Sequence, residues 1–338
     1  MTTGLPFDDI RALFKIMPKA DVEVAAQALA HDAQLTKPPG ALGKLENIAS
    51  WMASWQGQHP PRAARTVVAV FAGNHGVVAQ GVAAYPQAVT QQMVVNFQSG
   101  GAAINQICKT FDLGLKVFEL ALEHPTADIT QEPALSEQEC AATFAYGMEA
   151  IAGGCDLLCI GEMGIGNTTI AAAICHGLFG GKAEDWVGPG TGVDSDGLKR
   201  KTDAVRRAVA LHKDHLSDPL ELLRRLGGRE LSAMAGAILA ARMERVPVLI
   251  DGYVASAAAA VLFAADPTAL DHCMAAHCSA EPAHGALLKK IGKEPLLNLG
   301  MRLGEGSGAA LAAGLVKAAV NCHNDMATFA SAGVSNKD

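Results

Sequence analysis

A single carboxylate lies among glycines near the end of the chain, in the segment 301–308 (MRLGEGSG). The alanine-rich residues 309–313 that follow predict an apolar helix, with Glu305 at its mouth. Little water would reach a carboxylate there, so its affinity for a proton would rise. Such a group suits general-base catalysis near neutral pH. The alternative is that Glu305 only caps the helix, since acids are favoured in first turns.

Two glycine-rich loops could bind a phosphate group. The first, 161–169 (GEMGIGNTT), lies between an apolar run and a helical one, which would point backbone N–H groups at an anion. It lacks the lysine of a Walker A loop, where Asn167 stands instead, and the third glycine of a dinucleotide fingerprint. The expected ligand is therefore a monophosphate, and the alternative is a plain tight turn. The second loop, 187–194, precedes the cations Lys199, Arg200 and Lys201, which could share that phosphate.

A third loop begins with Asp251 and Gly252 after the apolar run 248–250. An Asp at the carboxyl end of a parallel strand commonly faces the ligand crevice, where a ribose hydroxyl is a natural partner, although capping of a helix explains it equally well. No second acid follows Asp251, so the paired acids of a magnesium-pyrophosphate ribosyl site are absent. We therefore expect a ribosyl donor whose leaving group is not pyrophosphate.

Several histidines could also take part in chemistry. His75 lies in a turn-rich loop after the strand-like run 66–71, and either function or hydrogen bonding within the loop would explain it. A metal-like cluster comprises His272, Cys273, His277, Cys278 and His284. Zinc sites usually take paired ligands from two separated places, and the sequence has no second His/Cys cluster that would complete such a site. We predict no metal and no cofactor, and the role of the cluster stays open.

Three segments repeat the order of apolar strand, glycine-rich loop and helix, at 66–76, 155–174 and 246–261. Strands of near-continuous apolar character are typical of parallel sheets that are covered on both faces. The sequence therefore predicts an α/β fold with a doubly wound, mainly parallel, Rossmann-like sheet.

Both ends of the chain have a different, helical pattern. Apolar residues recur with helical spacing in 7–14, 22–30 and 45–55, and the chain is again helical beyond Glu305. We expect a small helical domain built from residues 1–62 and 310–338. It would lie beside a large nucleotide-binding and catalytic α/β domain at 63–309.

Composition excludes several classes of protein. Half of the 338 residues are hydrophobic and only 18% are charged, which indicates a sizeable core rather than disorder. The net charge of −7 and the lack of basic stretches with interleaved aromatics argue against nucleic-acid partners. No signal-peptide pattern opens the chain, and the apolar stretch 254–265 is too short to cross a bilayer. With eight scattered cysteines that suit reduced thiols, we expect a cytoplasmic protein without membrane partners.

Seven motifs occur in order along the chain. They are 36–45 (TKPPGALGKL), 72–77 (AGNHGV), 81–86 (GVAAYP), 161–169, 188–193 (GPGTGV), 277–284 (HCSAEPAH) and 301–308. Taken together, these motifs resemble those of nicotinate-nucleotide:dimethylbenzimidazole phosphoribosyltransferases, and the resemblance runs from about residue 35 to residue 314. One departure is Ala283, where the family often has glycine.

The resemblance implies a reaction between two small molecules. Nicotinate mononucleotide would donate its phosphoribosyl group to 5,6-dimethylbenzimidazole or a related planar base, giving α-ribazole 5′-phosphate and nicotinate for the lower ligand of a cobamide. The leaving pyridine is neutral and needs no general acid, so one base that takes the acceptor's proton would suffice. Glu305 matches the family's catalytic base. The resemblance also suggests a homodimer.

Roles for the remaining site residues follow from the same motifs. The donor phosphate would lie on the amides of one loop, with the second loop and a lysine on its other side. Flat apolar side chains would hold the acceptor, although Met93 and Met163 could equally be ordinary core residues. The donor-nucleotide residues would be Gly166, Asn167, Thr168, Gly190, Thr191, Lys201, Asp251, Gly252 and Ser279, and the acceptor pocket Tyr85, Pro86, Met93, Met163 and Leu303.

Two alternatives from other classes remain. A nucleotide-binding kinase or dehydrogenase could share the fold, but the missing Walker lysine and the incomplete dinucleotide fingerprint count against each. The other is a non-catalytic nucleotide sensor in which Glu305 only caps its helix.

Overall fold

The protein is described by a computed structural model that covers residues 5–335. Six parallel strands form one sheet in the order β2-β1-β3-β4-β5-β6, with helices on both faces. This confirms the predicted doubly wound α/β fold. The strands are β1 (Thr66–Ala72), β2 (Gly114–Glu119), β3 (Leu157–Met163), β4 (Val248–Ile250), β5 (Cys273–His277) and β6 (Pro295–Leu297).

The described residues form fourteen α-helices, and short 3₁₀ turns join several of them. The helices are α1 (Pro6–Phe14), α2 (Val22–Asp32), α3 (Lys44–Gln56), α4 (Val89–Gln98), α5 (Ala103–Phe111), α6 (Glu137–Met148), α7 (Asn167–Phe179), α8 (Ser195–His212), α9 (Pro219–Leu226), α10 (Arg229–Met243), α11 (Tyr253–Ala265), α12 (His284–Lys290), α13 (Ser307–Asp325) and α14 (Phe329–Ala332).

Alternating side chains of the central strand face two separate apolar cores. Ala69 and Phe71 of β1 pack in a core with α6, α7, α10 and α11, whereas Val68 and Val70 pack in a core with α3, α5 and α13. All four residues are fully buried, because both faces of the sheet are covered. This is why the strand reads as a continuous apolar run rather than an alternating one.

The order of strands reverses between β1 and β3. After β1 the chain crosses to β2 at one edge, and every later strand is added on the other side of β1. In doubly wound sheets the crevice beyond the carboxyl ends of the strands at such a switch point binds ligands. Here the two loops that leave this point, 73–76 and 164–166, lie against each other.

Helices from both ends of the chain pack against the sheet layers. Residues of α3 share a core with α13, while Phe7 and Ile10 of α1 join the core on the opposite face. The predicted helices at 7–14, 22–30 and 45–55 correspond to α1, α2 and α3. The division into domains at 62/63 and 309/310 stays a prediction, and its ends, 1–4 and 336–338, lie outside the described residues.

All eight cysteines of the described chain are free thiols. Burial raises the pKa of the Cys140 and Cys175 thiols to about 12, so both stay protonated at neutral pH. No helix between residues 5 and 335 has the length and apolarity that crossing a membrane requires.

Candidate active site

A cleft opens at the carboxyl ends of β3, β4 and β5. It is a concave, partly open site of the kind that small-molecule ligands occupy. Polar and apolar residues from five separate segments of the chain converge on it. Its lining residues are Glu162, Met163, Gly164, Ile165, Asn167, Thr168, Gly190, Thr191, Gly252, Tyr253, Val254, His277, Ser279, Glu281, Arg302, Leu303 and Gly304.

Close backbone contact fixes the loop that carries Glu305. A Cβ added to Gly161 in β3 would lie 2.3 Å from the backbone nitrogen of Gly306, so only glycine fits there. The backbone N–H of Glu305 donates to the carbonyl oxygen of Glu162 over 3.1 Å. The segment before α13 is thereby held against the end of β3.

Glu305 lies in this segment with a left-handed backbone. Its φ is 63°, and its neighbours Gly304 (85°) and Gly306 (75°) are left-handed too. The residue is 4% exposed, and its Oε2 has no hydrogen-bond partner. Burial raises the pKa of Glu305 to about 6, a rise that the backbone N–H of Ile104 opposes and the carboxylate of Asp251 reinforces. At neutral pH the group is therefore an ionised and weakly solvated base.

A second carboxyl group, that of Glu162, lies beside Glu305 and borders the cleft. Its Oε2 accepts a short hydrogen bond from the Nδ2 of Asn167. Burial raises the pKa of Glu162 to about 8, and the nearby carboxylates of Asp251, Glu230 and Glu305 add to that rise. Glu162 therefore retains its proton at neutral pH while Glu305 does not. Opposite protonation states of two neighbouring acids allow them different roles.

The predicted phosphate loop leads into α7. Gly166 has a φ of 91°, and the helix begins at Asn167. The first amides of a helix are free to bind an anion. The Nζ of Lys201 donates to Thr168 Oγ1 over 2.8 Å and to the carbonyl of Gly188 over 2.9 Å. This buried amine stands directly behind the loop, and burial lowers the pKa of Lys201 to about 8.

A second cation, Arg302, reaches the cleft from the opposite wall. Its Nη1 donates to the carbonyl of Gly190 over 2.9 Å, which joins the loop before α13 to the second glycine loop. Glu281 also lines this wall, and burial raises the pKa of its carboxyl group despite the charge of Lys201. Lys201 and Arg302 thus both lie near the second glycine loop, with the carboxyl group of Glu281 close to them.

Asp251 stands behind Gly252 at the end of β4. Its Oδ1 accepts a hydrogen bond from the backbone N–H of Ala309 over 2.8 Å, and its Oδ2 has no partner. The Nε2 of His277 lies 3.5 Å from Oδ1. A Cβ on Gly308 would lie 2.1 Å from the His277 ring, so a glycine at this point of α13 lets the imidazole pack there.

Ser279 is held by a buried histidine. The backbone N–H of Ser279 donates to His284 Nδ1 over 2.8 Å, so the other ring nitrogen carries the proton and donates to Ser256 Oγ over 2.9 Å. Burial lowers the pKa of His284 to about 3, which keeps the ring neutral. His284 therefore positions the loop rather than exchanging protons.

The structure divides the predicted donor-binding set into lining and supporting residues. Gly166, Lys201 and Asp251 stand immediately behind the cleft, in contact with or next to the residues that form it. The six that line the cleft are Asn167, Thr168, Gly190, Thr191, Gly252 and Ser279.

The predicted acceptor residues are more widely spread. Met163 and Leu303 line the cleft, but Tyr85 and Pro86 lie on an exposed loop before α4, and Tyr85 is 51% exposed. Met93 is half-buried within α4, where it packs against the core that contains α13. Their role in acceptor binding stays a prediction.

The sequence motifs did not predict Glu162, Glu281 and Arg302 as cleft residues. Glu162 and Arg302 each lie inside a glycine motif that was recognised, so proximity to those glycines was the available signal. The motif predicted a backbone path, but it did not show which neighbouring side chains turn toward the cleft.

The histidine and cysteine cluster is split between two ends of β5. His272 and Cys273 lie at its amino end, where His272 Nε2 donates to the carbonyl of Ile238 over 3.0 Å. His277 and Cys278 lie at the carboxyl end, beside the cleft. Within residues 5–335 no group of three or more His, Cys, Asp or Glu side chains is arranged to hold a metal ion.

The chain is similar to known proteins that are named as phosphoribosyltransferases. A family model described as phosphoribosyltransferase matches residues 17–334. The nicotinate-nucleotide–dimethylbenzimidazole phosphoribosyltransferase of Sinorhizobium fredii is 70% identical over 336 residues, or 99% of each chain, and that of Sinorhizobium medicae is 69% identical over 335 residues, again 99% of each. A crystal structure of the Thermus thermophilus enzyme of that name superposes with a TM-score of 0.86 at 43% identity, over 94% of this chain and all of that one.

Proposed function

Because this chain belongs to the nicotinate-nucleotide–dimethylbenzimidazole phosphoribosyltransferase family, we propose that its cleft transfers the 5-phosphoribosyl group of nicotinate mononucleotide to 5,6-dimethylbenzimidazole. The products are α-ribazole 5′-phosphate and nicotinate, and the reaction belongs to the assembly of the cobamide lower ligand. The observation that carries the mechanism is Glu305, a buried base next to the cleft-lining Gly304, with a pKa of about 6.

The donor phosphate binds on the cationic side of the cleft. The amides at the start of α7 face it, with Thr168, Lys201 and Arg302 around it. Lys201 holds Thr168 Oγ1 in place, and an arriving anion favours the protonated amine. The ribose would extend toward Gly252 and Ser279, at the ends of β4 and β5.

The chemical step is a direct displacement at C1′ of the ribose. One nitrogen of the acceptor attacks C1′ while the C1′–N bond to nicotinate breaks, and that bonding pair leaves on the pyridine nitrogen. Positive charge develops on the acceptor ring, and the carboxylate of Glu305 takes the proton from its other nitrogen. Attack from the face opposite to nicotinate inverts the β-linkage to α. Two bound reactants held in line supply several kcal/mol more, by order of magnitude.

The protonated state of Glu162 favours this displacement. An ionised carboxylate beside the donor would stabilise the positively charged pyridinium, whose charge disappears as the C1′–N bond breaks. Interactions that stabilise the ground state more than the transition state slow the reaction. With a pKa of about 8, Glu162 is neutral where Glu305 is ionised. The pair therefore supports a single active base between about pH 6 and pH 8.

Glu305→Gln tests this proposal. The amide keeps the size of the side chain but cannot accept the proton, so we expect kcat to fall by at least about a hundredfold. Binding of nicotinate mononucleotide, measured by calorimetry, should persist. Glu281→Gln is the matched control, because Glu281 is also a buried carboxyl group of the cleft, and its loss should change kcat by less than about tenfold. Transfer that is unaffected by Glu305→Gln would refute the mechanism.

We also propose a cytoplasmic homodimer. The exposed apolar side chains of Tyr85 and Leu303, the second of them on the cleft, support a partner surface at the mouth of the site. The eight free thiols support a reducing compartment. Light scattering at several protein concentrations tests the dimer, and a mass that stays at 34.9 kDa would exclude it.

A further inference from the structure

A buried pair of ionisable side chains lies directly behind the cleft without lining it. His75 Nε2 and Glu230 Oε1 are 2.6 Å apart, and both residues are 0% exposed. Their other polar atoms, His75 Nδ1 and Glu230 Oε2, have no hydrogen-bond partner. Isolated ionisable groups are costly in such a position, so the two side chains depend on each other. The proposed transfer reaction does not itself use either of them.

Three glycines enclose the pair. A Cβ on Gly73 would lie 2.4 Å from Glu230 Oε2, and one on Gly228 would lie 2.4 Å from His75 Cε1. A Cβ on Gly164 would lie 3.1 Å from Glu230 Oε1 and 2.8 Å from the carbonyl oxygen of Gly73. The carboxylate of Glu230 is therefore packed against the loops that follow β1 and β3, at the switch point of the sheet.

A short path joins this pair to a side chain of the cleft. The backbone N–H of Asn167 donates to the carbonyl of Gly164 over 3.2 Å, and Asn167 Nδ2 donates to Glu162 Oε2. The carboxylate of Glu230 thus abuts the turn whose last residue holds Glu162. The position of that turn and the negative charge of Glu230 behind it therefore both affect the carboxyl group of Glu162.

We propose that His75 and Glu230 are positioning residues for the phosphoribosyl transfer, which act through Gly164 and Asn167 on the carboxyl group of Glu162. The inference rests on the proposed function. The carboxylate of Glu230 acts on Glu162 through its charge, and the 2.6 Å contact with His75 Nε2 holds that carboxylate in place. Removing either partner alters the charge that Glu162 faces without removing any group that lines the cleft.

The charges around Glu162 set the direction of each effect. Asp251 of β4, Glu230 of α10 and Glu305 before α13 all favour the protonated form, whereas the amide of Asn167 in α7 favours the ionised one. Loss of the Glu230 charge therefore lowers the pH at which Glu162 ionises. Loss of His75 removes the partner that holds the Glu230 carboxylate in place, and so changes the pH at which Glu162 ionises.

The experiment is a comparison of pH profiles for kcat/KM in Glu230→Gln, His75→Gln and the double variant. The alkaline limb of the unmodified enzyme should have its midpoint at about pH 8. Glu230→Gln should move that midpoint down by about one pH unit, the scale of a close charge. His75→Gln should move it as well, because the carboxylate of Glu230 loses the side chain that holds it. The double variant should match Glu230→Gln alone, because without the carboxylate the imidazole has no partner to hold.

His212→Gln is the matched control. His212 is also buried, but its Nε2 bonds the carbonyl of Ile129, far from the loop after β3, so the limb should stay in place. The inference would be overturned if the alkaline limbs of the His75 and Glu230 variants both coincided with that of the unmodified enzyme, even if kcat fell. Such a result would show that the pair only stabilises the fold.

A second measurement does not depend on turnover. Titration of ¹³C-labelled glutamate carboxyls by NMR, with Glu162→Gln used to assign the resonance, reports Glu162 directly in every variant. A Glu162 titration that shifts down in Glu230→Gln supports the inference even in a variant without activity, and an unchanged titration overturns it. Failure of the unmodified enzyme to make α-ribazole 5′-phosphate would instead refute the proposed function.

Discussion

The acid limb of the pH profile of kcat/KM should reflect the burial of Glu305. Burial raises the pKa of this carboxyl group from 4.5 to about 6, a change of about 1.5 units or about 2 kcal/mol. A base with a pKa of 6 is about nine-tenths ionised at pH 7 and about one-tenth ionised at pH 5. We therefore expect kcat/KM to fall about tenfold between pH 7 and pH 5. An unshifted glutamate would give a fall of only about 1.3-fold over the same range.

The assay follows nicotinate release and α-ribazole 5′-phosphate by chromatography at subsaturating substrate. The acceptor base also titrates, so its ionisation must be separated from that of the enzyme. Glu305→Gln provides this control, because any limb that remains in its residual activity belongs to the substrate. A fall of less than about twofold after this correction, or an acid limb that persists unchanged in Glu305→Gln, would refute the assignment of Glu305 as the base.

Three further outcomes test other parts of the structure. Gly161→Ala places a Cβ 2.3 Å from the Gly306 nitrogen, so we expect a loss of about 1–3 kcal/mol in unfolding free energy and a larger loss of activity, with Gly114→Ala, where contacts are ordinary, as the control. Lys201→Met should raise KM for nicotinate mononucleotide by about 10- to 100-fold, as expected for one charged hydrogen bond, and an unchanged KM would contradict the phosphate role. Burial lowers the pKa of His323 to about 4, so the folded state resists protonation of this side chain. The free energy of unfolding should therefore be about 2 kcal/mol lower at pH 5 than at pH 8. Urea unfolding of His323→Gln should lack this part of the pH dependence of stability.

The fold could be predicted because its main signals are local. The apolar runs that became β1, β3 and β4 are long or well bounded by glycine loops, and helices α1, α2 and α3 have clear spacing. β2, β5 and β6 were not predicted. β2 and β6 lie at the sheet edges and their side chains are only partly buried, whereas β5 is a short buried strand that begins and ends within the histidine and cysteine cluster. Edge strands lack the continuous apolar pattern that reveals central ones.

The site was predictable as a set of loops but not as a set of side chains. Glycine motifs indicated where backbone must approach backbone or ligand, and they drew attention to Glu305, which the structure buries beside the cleft. The pairing of Glu305 with Glu162 joins positions that are distant in the chain, through the contact of Gly161 with Gly306. Spacing along one chain does not show such a contact, and the same limit applies to His75 and Glu230, which are 155 residues apart.

At position 305, the left-handed backbone favours glycine for stability, whereas the proposed catalysis requires a carboxylate. Glu305 lies between two left-handed glycines with a φ of 63°, a conformation that disfavours side chains with a Cβ and that glycine adopts freely. The site therefore stores strain at the residue proposed to perform the chemistry, on the order of 1 kcal/mol. Selection for thermal tolerance alone would favour glycine here and discard the base. Variants stabilised at position 305 should accordingly be screened for turnover before any gain in melting temperature is accepted as an improvement.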